Sequence, residues 1–564
     1  MERHHSRQGP PVRTGHLRRF LALAALCLGL LLCFGSVALA DSQWSGFLPE
    51  TWVRYNVVTC QVQVTDPLGL TEEAEYRYST TGNIGIAPWL SANLQVTGAL
   101  STTKSIMVTN LAFPDSASQN LVQFRLKRTD QSYAQSPSYP VFVDATAPQN
   151  PTTAASTSHT AQRWSRDTTI DMAWSGAVDA ASGVFGYSYV WDTSAATLPP
   201  DAPNTTATQA TSLPLSDGDS HYFHLRTRDN AGNWAGSAVH VGPFWIDTVP
   251  PTNPATLSSP SHTAGAWSAT NVIQASWSAG ADGLGGIGGY SLVWDNLPTT
   301  LPDTITETVA LIAASPAMDD SSSIWFHLRT VDKADNWTSD AKHLGPFMVD
   351  RQPPTNPTTF TMSHLPGSWS NDTTIDISWE GAADAGSGVA GYAYAWTEQA
   401  GTIPDPTIRT TGSQATSPTL AHNKSYYFHL RTADQMGNWS DTVHRGPFNI
   451  DTEPPTSPSI LSVEPPGWAN QDAFTVRWEI NPFDPSGIGG AYCKVGAAPQ
   501  SNADYTLRVQ GDNLKAITNI HVGGDGIYEV YVWLEDKAGN KDYRTWARPF
   551  SPFRLDTIPP QSQH

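Results

Sequence analysis

The chain has 564 residues, of which only 15% are charged, and its formal net charge is −19. This length is sufficient for several domains, and the acidic balance argues against a nucleic-acid partner, because phosphate binding requires clustered lysines and arginines. Aromatic residues make up 10% of the chain and supply core surface, which excludes a largely disordered protein.

The N-terminal segment has the order of a secretory signal peptide. A basic stretch ending at Arg19 precedes an apolar run from Phe20 to Ala40, which closes with the small-x-small tripeptide Ala-Leu-Ala. This pattern predicts a cleaved signal over residues 1–40. The alternative is an uncleaved anchor, since about 20 apolar residues can span a bilayer. No second apolar run of that length follows, so we expect a secreted or cell-surface protein without a membrane span after cleavage.

A strand-end motif recurs along the rest of the chain with a period of about 100 residues. Each motif runs from a proline to an aspartate four residues later and has at least two apolar residues between them, as in Pro-Phe-Trp-Ile-Asp. Successive aspartates are 103, 103, 101 and 105 residues apart. The aspartates are Asp144, Asp247, Asp350, Asp451 and Asp556. Because solenoid repeats are usually 20–50 residues long, this period favours β-sandwich domains. The predicted repeats span 41–145, 146–248, 249–351, 352–452 and 453–558, with a tail at 559–564.

Each repeat contains alternating apolar and polar runs, which predict half-buried strands. Phe223, Leu225 and Thr227 recur in later repeats with the same spacing, so this set is expected to face the core. One early strand carries a tryptophan at a constant position, which is also expected in the core. These residues are Trp174, Trp277, Trp379 and Trp478.

The two cysteines that follow the predicted signal peptide and the recurring histidines have simple predicted roles. Cys60 and Cys493 fall in the first and last repeats, too far apart for a disulfide, and are expected to be buried thiols. His224, His327 and His429 lie about 100 residues apart, so they cannot share one metal ion. An arginine follows two residues after each histidine, and we interpret this set as a solvated strand face.

The segment Tyr426–Ser440, with the sequence YYFHLRTADQMGNWS, resembles the F strand and F–G turn of fibronectin type III-like and bacterial immunoglobulin-like domains. The Asp-Thr-x-Pro-Pro linkers resemble those between tandem repeats in large extracellular bacterial proteins. This resemblance implies an all-β fold, with five immunoglobulin-like or fibronectin type III-like sandwiches following the signal peptide. It does not imply an activity, because this architecture serves adhesion, carbohydrate binding and plain spacing.

Recurring carboxylates are the strongest candidate site. In such sandwiches the B–C and F–G loops lie at one end, where the preceding linker also enters. We therefore expect the strand-end aspartate of one repeat to approach two loop aspartates of the next. Carboxylate oxygens are ligands of the kind that Ca²⁺ uses, so these groups are candidate calcium sites at the repeat junctions. The alternative is that the aspartates only cap their own turns. The candidate ligands are Asp247, Asp282 and Asp332 at one junction and Asp350, Asp384 and Asp434 at the next.

A second candidate site consists of the tryptophans that end the F–G turns, Trp234, Trp337 and Trp439. If exposed, these rings could stack on sugars. The alternative is that each tryptophan folds over its turn and seals the edge of the sandwich.

No catalytic motif for a serine hydrolase, a zinc protease or a phosphate-binding loop is present. The sequence therefore favours a non-catalytic stalk, spacer or adhesin-like protein whose partner is an unidentified extracellular protein or glycan. A carbohydrate-binding accessory protein is the alternative, and a cryptic extracellular hydrolase ranks last. No cofactor is expected other than Ca²⁺.

Overall fold

The computed structural model describes residues 41–67, 71–96 and 102–561. The predicted signal peptide lies outside the described residues. By contacts, the chain divides into two compact units. The first contains the described residues through Thr157 together with Asp171–Thr211 and Tyr222–Gly242. The second contains Ser158–Ile170, Ser212–His221 and the described residues from Pro243 onward.

The N-terminal set of strands forms one continuous sheet with the order β1-β2-β5-β4-β3-β6-β7, and β8 pairs with β6. Strand β4 pairs with β5 at one end and with β3 at the other, so it passes from one layer to the next. A 3₁₀ turn lies at Ile84–Ile86. The strands are β1 (Gln43–Leu48), β2 (Val57–Thr65), β3 (Thr71–Ser79), β4 (Leu90–Val96), β5 (Thr103–Ala112), β6 (Leu121–Arg128), β7 (Tyr133–Gln135) and β8 (Tyr139–Pro140).

The next set of strands contributes to both compact units. In the first unit, β11 pairs with β9 and β13, and β12 pairs with β14. In the second unit, β10 pairs in parallel with β15. The strands are β9 (Thr153–Ser156), β10 (Trp164–Ser165), β11 (Asp171–Ser175), β12 (Val184–Asp192), β13 (Gln209–Thr211), β14 (Gly218–Asp229) and β15 (Val239–Ile246).

The third and fourth sets are two-layer sandwiches with the same strand order. The third has a three-stranded sheet, β16-β18-β20, and a four-stranded sheet, β17-β22-β21-β19. In chain order its strands correspond to A, A′, B, C, E, F and G. They are β16 (Leu257–Ser258), β17 (Trp267–Ser268), β18 (Gln274–Trp277), β19 (Ile287–Asp295), β20 (Ile312–Ala314), β21 (Ser321–Asp332) and β22 (Lys342–Val349).

The fourth set repeats this order with sheets β23-β25-β27 and β24-β29-β28-β26. Its strands are β23 (Thr359–Met362), β24 (Trp369–Ser370), β25 (Asp376–Glu380), β26 (Val389–Thr397), β27 (Gln414–Thr416), β28 (Lys424–Asp434) and β29 (Val443–Ile450).

The fifth set has three sheets, β30-β32-β35, β31-β38-β36 and β34-β33-β37. A 3₁₀ turn lies at Tyr543–Thr545. The strands are β30 (Ser459–Glu464), β31 (Trp468–Ala469), β32 (Phe474–Ile480), β33 (Ile488–Val495), β34 (Leu507–Gln510), β35 (Ala516–Ile520), β36 (Gly526–Tyr528), β37 (Val530–Asp536) and β38 (Phe553–Leu555).

The cores confirm the predicted strand faces. Phe223, Leu225 and Thr227 are fully buried, as are their counterparts Phe326 and Phe428 in the next two repeats. The constant tryptophans Trp174, Trp277, Trp379 and Trp478 are at most 5% exposed. Each therefore anchors the B strand of its repeat against the opposite sheet.

Both cysteines are buried free thiols, as predicted. Burial raises the pKa of Cys60 to about 12 and that of Cys493 to about 12. These thiols pack as small apolar groups in the first and last cores. In the described part of the chain, no helix is long and apolar enough to cross a membrane.

Candidate functional site: aspartate clusters at the repeat junctions

The first element of each cluster is the aspartate that follows a G strand. The N–H of Asp247 donates to the carbonyl of Ser165 at 3.0 Å, and Asp350 repeats this bond with Ser268. Asp247 Oδ1 accepts the N–H of Val249 at 3.1 Å. A proline pair follows and cannot continue the strand ladder, because proline lacks the N–H donor. The strand therefore ends with a fixed carboxylate.

The second element is the B–C loop aspartate. Asp282 Oδ2 accepts the N–H groups of Leu284 at 3.1 Å and Gly286 at 2.7 Å. Asp384 Oδ2 makes the same bond with Gly388 at 2.7 Å. Short aspartate side chains favour such turns because they bond to backbone a few residues ahead.

The third element is the F–G turn aspartate. Asp332 Oδ1 accepts the N–H groups of Ala334 at 2.8 Å and Asn336 at 2.9 Å. The Asn336 amide donates to Asp332 Oδ2 at 2.8 Å. The turn-capping bonds expected as the alternative to calcium are thus present at this aspartate.

Hydrogen bonds across the junction bring the three elements together. The N–H of Gly285 donates to Asp247 Oδ2 at 2.8 Å, and the Asn336 amide donates to the Asp247 carbonyl at 2.7 Å. At the following junction, Ser387 and Asn438 make the equivalent bonds to Asp350 at 2.7 and 3.2 Å. The asparagine that precedes the F–G tryptophan therefore joins two repeats. We did not predict this role, although its recurrence in the sequence is visible.

Four such clusters occur among the described residues, and in each one carboxylate oxygen per aspartate lies within 4.8 Å of the others. The six predicted ligands form two of them. The clusters are Asp144/Asp179/Asp229, Asp247/Asp282/Asp332, Asp350/Asp384/Asp434 and Asp451/Asp484/Asp536. The first and last were not among the predicted ligands, although the same spacing identifies them.

The clusters concentrate negative charge, and the described residues place no lysine or arginine against it. In residues 41–67, 71–96 and 102–561, no lysine or arginine nitrogen lies within 4.0 Å of these carboxylates; a histidine, His422, lies 3.3 Å from Asp451. Burial raises the pKa of Asp332, and the Asp247 carboxylate raises it further, although bonds from Asn336 oppose the shift. Burial, together with two neighbouring carboxylates, raises the pKa of Asp536 to about 6.

One carboxylate oxygen in the second cluster has no hydrogen-bond donor. Asp282 Oδ1 is buried and unpartnered, whereas its Oδ2 accepts two N–H groups. Buried polar atoms are normally paired, so an orphaned carboxylate oxygen requires an explanation. The residues present, hard oxygen donors in a group of three, fit a Ca²⁺ ion.

The candidate sugar-stacking tryptophans are half-buried rather than fully exposed. An arginine guanidinium lies over each ring, at 5.5 Å for Arg226 on Trp234 and 5.4 Å for Arg329 on Trp337. Trp439 repeats this arrangement with Arg431 at 5.3 Å. One face of each ring is thus occupied by a cation.

The predicted solvated histidine face is wrong. His224, His327 and His429 are 0% exposed. His224 Nδ1 lies 2.6 Å from His240 Nδ1, and His224 Nε2 lies 3.1 Å from Asp192 Oδ1. Each buried histidine is held by a second histidine on the neighbouring G strand and by a polar group at the end of the C strand.

No protein-family model matches the chain. A segment is 34% identical over 199 residues to Chitinase A1 of Niallia circulans, covering 34% of this chain and 25% of that protein. The match thus spans about a quarter of the length of the enzyme.

Solved structures also match the chain, among them the following two. The chicken CNTN1 FN1–FN3 domains share 14% identity at a TM-score of 0.22, covering 54% of this chain and 100% of that one. The fibronectin(III)-like modules of Clostridium thermocellum CbhA share 13% identity at a TM-score of 0.21, covering 36% and 95%. The sheets of the central repeats have the orders A-B-E and A′-G-F-C, so the described part of the chain is a tandem array of β-sandwich repeats.

Proposed function

We propose that the chain is a non-catalytic extracellular spacer, stalk or adhesin-like binding protein. The observation that supports this role is the repeated junction contact. The strand-end aspartate accepts a loop N–H and an asparagine amide from the next repeat at Asp247, Asp350 and Asp451. A spacer requires junctions that hold neighbouring domains in a fixed relation, and recurring hydrogen bonds between the repeats serve that purpose.

Small-angle X-ray scattering of the chain without residues 1–40 tests the spacer role. We expect a maximum dimension several times that of one sandwich, with little change at high salt. A compact, roughly spherical particle would contradict the proposal. N-terminal sequencing of the exported protein tests the secretion step, and we expect the mature chain to begin at Asp41.

We further propose that each aspartate cluster binds one Ca²⁺ ion. Three carboxylates that share a buried site repel one another, and a divalent cation offsets that repulsion. The N–H donors of the turns occupy only part of the acceptor capacity, because each carboxylate oxygen has two lone pairs. The unpartnered Asp282 Oδ1 supports this assignment.

Calorimetric titration of the full chain with Ca²⁺ after chelation tests the proposal. We expect binding with up to four sites and a higher melting temperature. Asp332→Asn removes one ligand and is expected to delete one site. The matched control is Asp335→Asn, which makes the same charge change at an exposed residue of the same turn. If adding Ca²⁺ produces neither a heat of binding nor a change in melting temperature, calcium binding is refuted while the spacer role is unaffected.

Carbohydrate binding is the second candidate function, and the partial match to a chitinase favours it. We propose that Trp234, Trp337 and Trp439 would supply the contacts, with the arginine over each ring bonding to sugar hydroxyls. A pull-down on insoluble chitin, followed by a glycan array, tests this. Retention that is lost in the triple variant Trp234→Ala/Trp337→Ala/Trp439→Ala but kept in Leu213→Ala, a change at an exposed side chain, would support it. Equal retention of both variants would contradict it.

A further inference from the structure

A pair of facing histidines recurs in three repeats, on the sheet face opposite the core. In each pair the histidine on the F strand is fully buried, and its partner on the G strand is exposed. The two Nδ1 atoms lie 2.6, 2.6 and 2.7 Å apart in the second, third and fourth repeats. The pairs are His224/His240, His327/His343 and His429/His444.

Strand register brings the two histidines of a pair together. His327 and His343 are directly opposite each other on β21 and β22, and His429 and His444 are opposite each other on β28 and β29. Side chains of directly opposite residues on antiparallel strands lie on the same face, with Cβ atoms about 4.5–5.5 Å apart. Two imidazoles at this separation can turn their Nδ1 atoms toward a common point.

A third polar group, at the end of the C strand, orients the buried histidine. His224 Nε2 lies 3.1 Å from Asp192 Oδ1, and His327 Nε2 lies 3.0 Å from Asp295 Oδ1. A carboxylate only accepts hydrogen bonds, so Nε2 carries the proton and Nδ1 of the neutral ring presents a lone pair. A histidine that binds a metal typically donates its other N–H to a carboxylate in the same manner.

We propose that each histidine pair is a binding site for one Zn²⁺ ion, held by the two Nδ1 atoms and completed by water. Imidazole nitrogen suits Zn²⁺, whereas the oxygen donors of the aspartate clusters suit Ca²⁺, so the two kinds of site are independent. A tetrahedral Zn²⁺ with Zn–N bonds of about 2.0–2.1 Å places two nitrogens about 3.3 Å apart, so the pair must open by about 0.7 Å. The exposed ring of each pair is free to make this movement, and water reaches the remaining positions.

The fourth repeat differs from the other two in its orienting group. His429 Nε2 lies 2.9 Å from the Thr397 hydroxyl, which takes the place of Asp192 and Asp295 at the end of the C strand. A neutral hydroxyl increases the basicity of the imidazole less than a carboxylate does. Loss of such a partner typically weakens metal binding about 10–100-fold, so we expect the site of the fourth repeat to be weaker by about that factor.

Zinc binding to the chain without residues 1–40, purified without a histidine tag, tests the proposal. Equilibrium dialysis against Zn²⁺ in excess Ca²⁺, followed by metal analysis, should show two tighter sites and one weaker site. His240→Ala and His343→Ala, both at exposed rings, should each remove one of the tighter sites. The matched control His521→Ala, at an exposed histidine beside Asp472, should remove none.

A carboxylate introduced into the fourth repeat tests the role of the orienting group. Thr397→Asp recreates the arrangement of the third repeat, where Thr300 donates to Asp295, because Thr402 lies against Thr397 at the equivalent position. We expect it to raise the Zn²⁺ affinity of that repeat about 10–100-fold. Thr407→Asp, the same charge change at an exposed residue of the repeat, should leave the affinity unchanged. Equal affinities in the two variants would overturn the assigned role of the carboxylate.

A triple variant decides whether the pairs bind the metal at all. His240→Ala/His343→Ala/His444→Ala changes only exposed rings and keeps the buried histidines, and its melting in the absence of metal shows whether it folds. We expect the folded variant to lose all three sites. The same amount of bound Zn²⁺ in this variant and in the natural chain would overturn the proposal, as would the absence of Zn²⁺ binding to the natural chain.

Discussion

The asparagine of the F–G turn provides the sharpest test of how the repeats are joined. Asn336 is 8% exposed, and its amide donates to the Asp247 carbonyl and to Asp332 Oδ2. Asn336→Ala removes both bonds. A neutral hydrogen bond contributes about 0.5–1.5 kcal/mol, and one to a charged group about 1.5–3 kcal/mol. Because Asp332 keeps two backbone donors, we expect a loss of about 2–3 kcal/mol.

This loss can be measured by scanning calorimetry of the full chain, combined with hydrogen exchange. For a domain of about 100 residues, 1 kcal/mol corresponds to a melting shift of roughly 4–8 °C, so the transition of the affected repeat should fall by roughly 8–24 °C. Exchange should accelerate in the peptides around residues 247–252 and 332–338. Asp335→Asn, in the same turn, should change the stability by less than about 0.5 kcal/mol. If both variants melt alike, the amide does not hold the junction.

Three further predictions concern the cores and the histidine pairs. Cys60 and Cys493 should resist thiol reagents at neutral pH and react only after denaturation, because burial raises both pKa values to about 12. Burial and the adjacent His327 lower the pKa of His343, so the unfolded chain binds more protons than the native chain near neutral pH. The free energy of unfolding should therefore fall as the pH drops from roughly 7 to 5. Urea titrations of His343→Gln should show a weaker dependence of this free energy on pH. Trp379→Ala should destabilise the fourth repeat by about 3–5 kcal/mol in calorimetry, because it opens a large cavity in the core.

Contrasting outcomes would contradict each of these. Labelling of the native chain at the rate of an exposed cysteine would show that the two thiols are accessible. If the urea midpoint of His343→Gln changes with pH as steeply as that of the natural chain, the histidine pair does not cause the loss of stability in acid. Trp439→Ala, at a half-buried ring, is the control for Trp379→Ala, and an equal loss in both would contradict the assigned core.

Much of the fold could be predicted because its signals are local and recur. Alternation along the F strands predicted that Phe223 and Leu225 face the core, since successive strand residues point to opposite faces. The clustering of Asp247, Asp282 and Asp332 followed from loop topology alone. Their turn bonds also follow from local chemistry, because aspartate bonds to backbone within a few residues.

The histidines show where such reasoning fails. Alternation places His327 on the face opposite the core, and an isolated sheet would expose it. In the folded repeat, the chain after the C strand returns across that face: Arg329 bonds to the Pro302 carbonyl at 3.4 Å, and His327 bonds to Asp295 and His343 at 3.0 and 2.6 Å. Residues that are distant in the sequence, such as His343 on the G strand, cover His327, and contacts of this kind leave no periodic pattern in the sequence.

The sequence by itself determined the all-β class, the 100-residue period and the identity of the junction aspartates, because strand alternation and turn chemistry depend on neighbouring residues. Only the tertiary structure decided what those aspartates contact. It showed that an asparagine amide forms a hydrogen bond across the junction and that Asp282 Oδ1 lacks a hydrogen-bond donor. It also showed that an arginine covers one face of each candidate tryptophan. These facts depend on distances between residues far apart in the chain, which packing sets and local pattern does not encode.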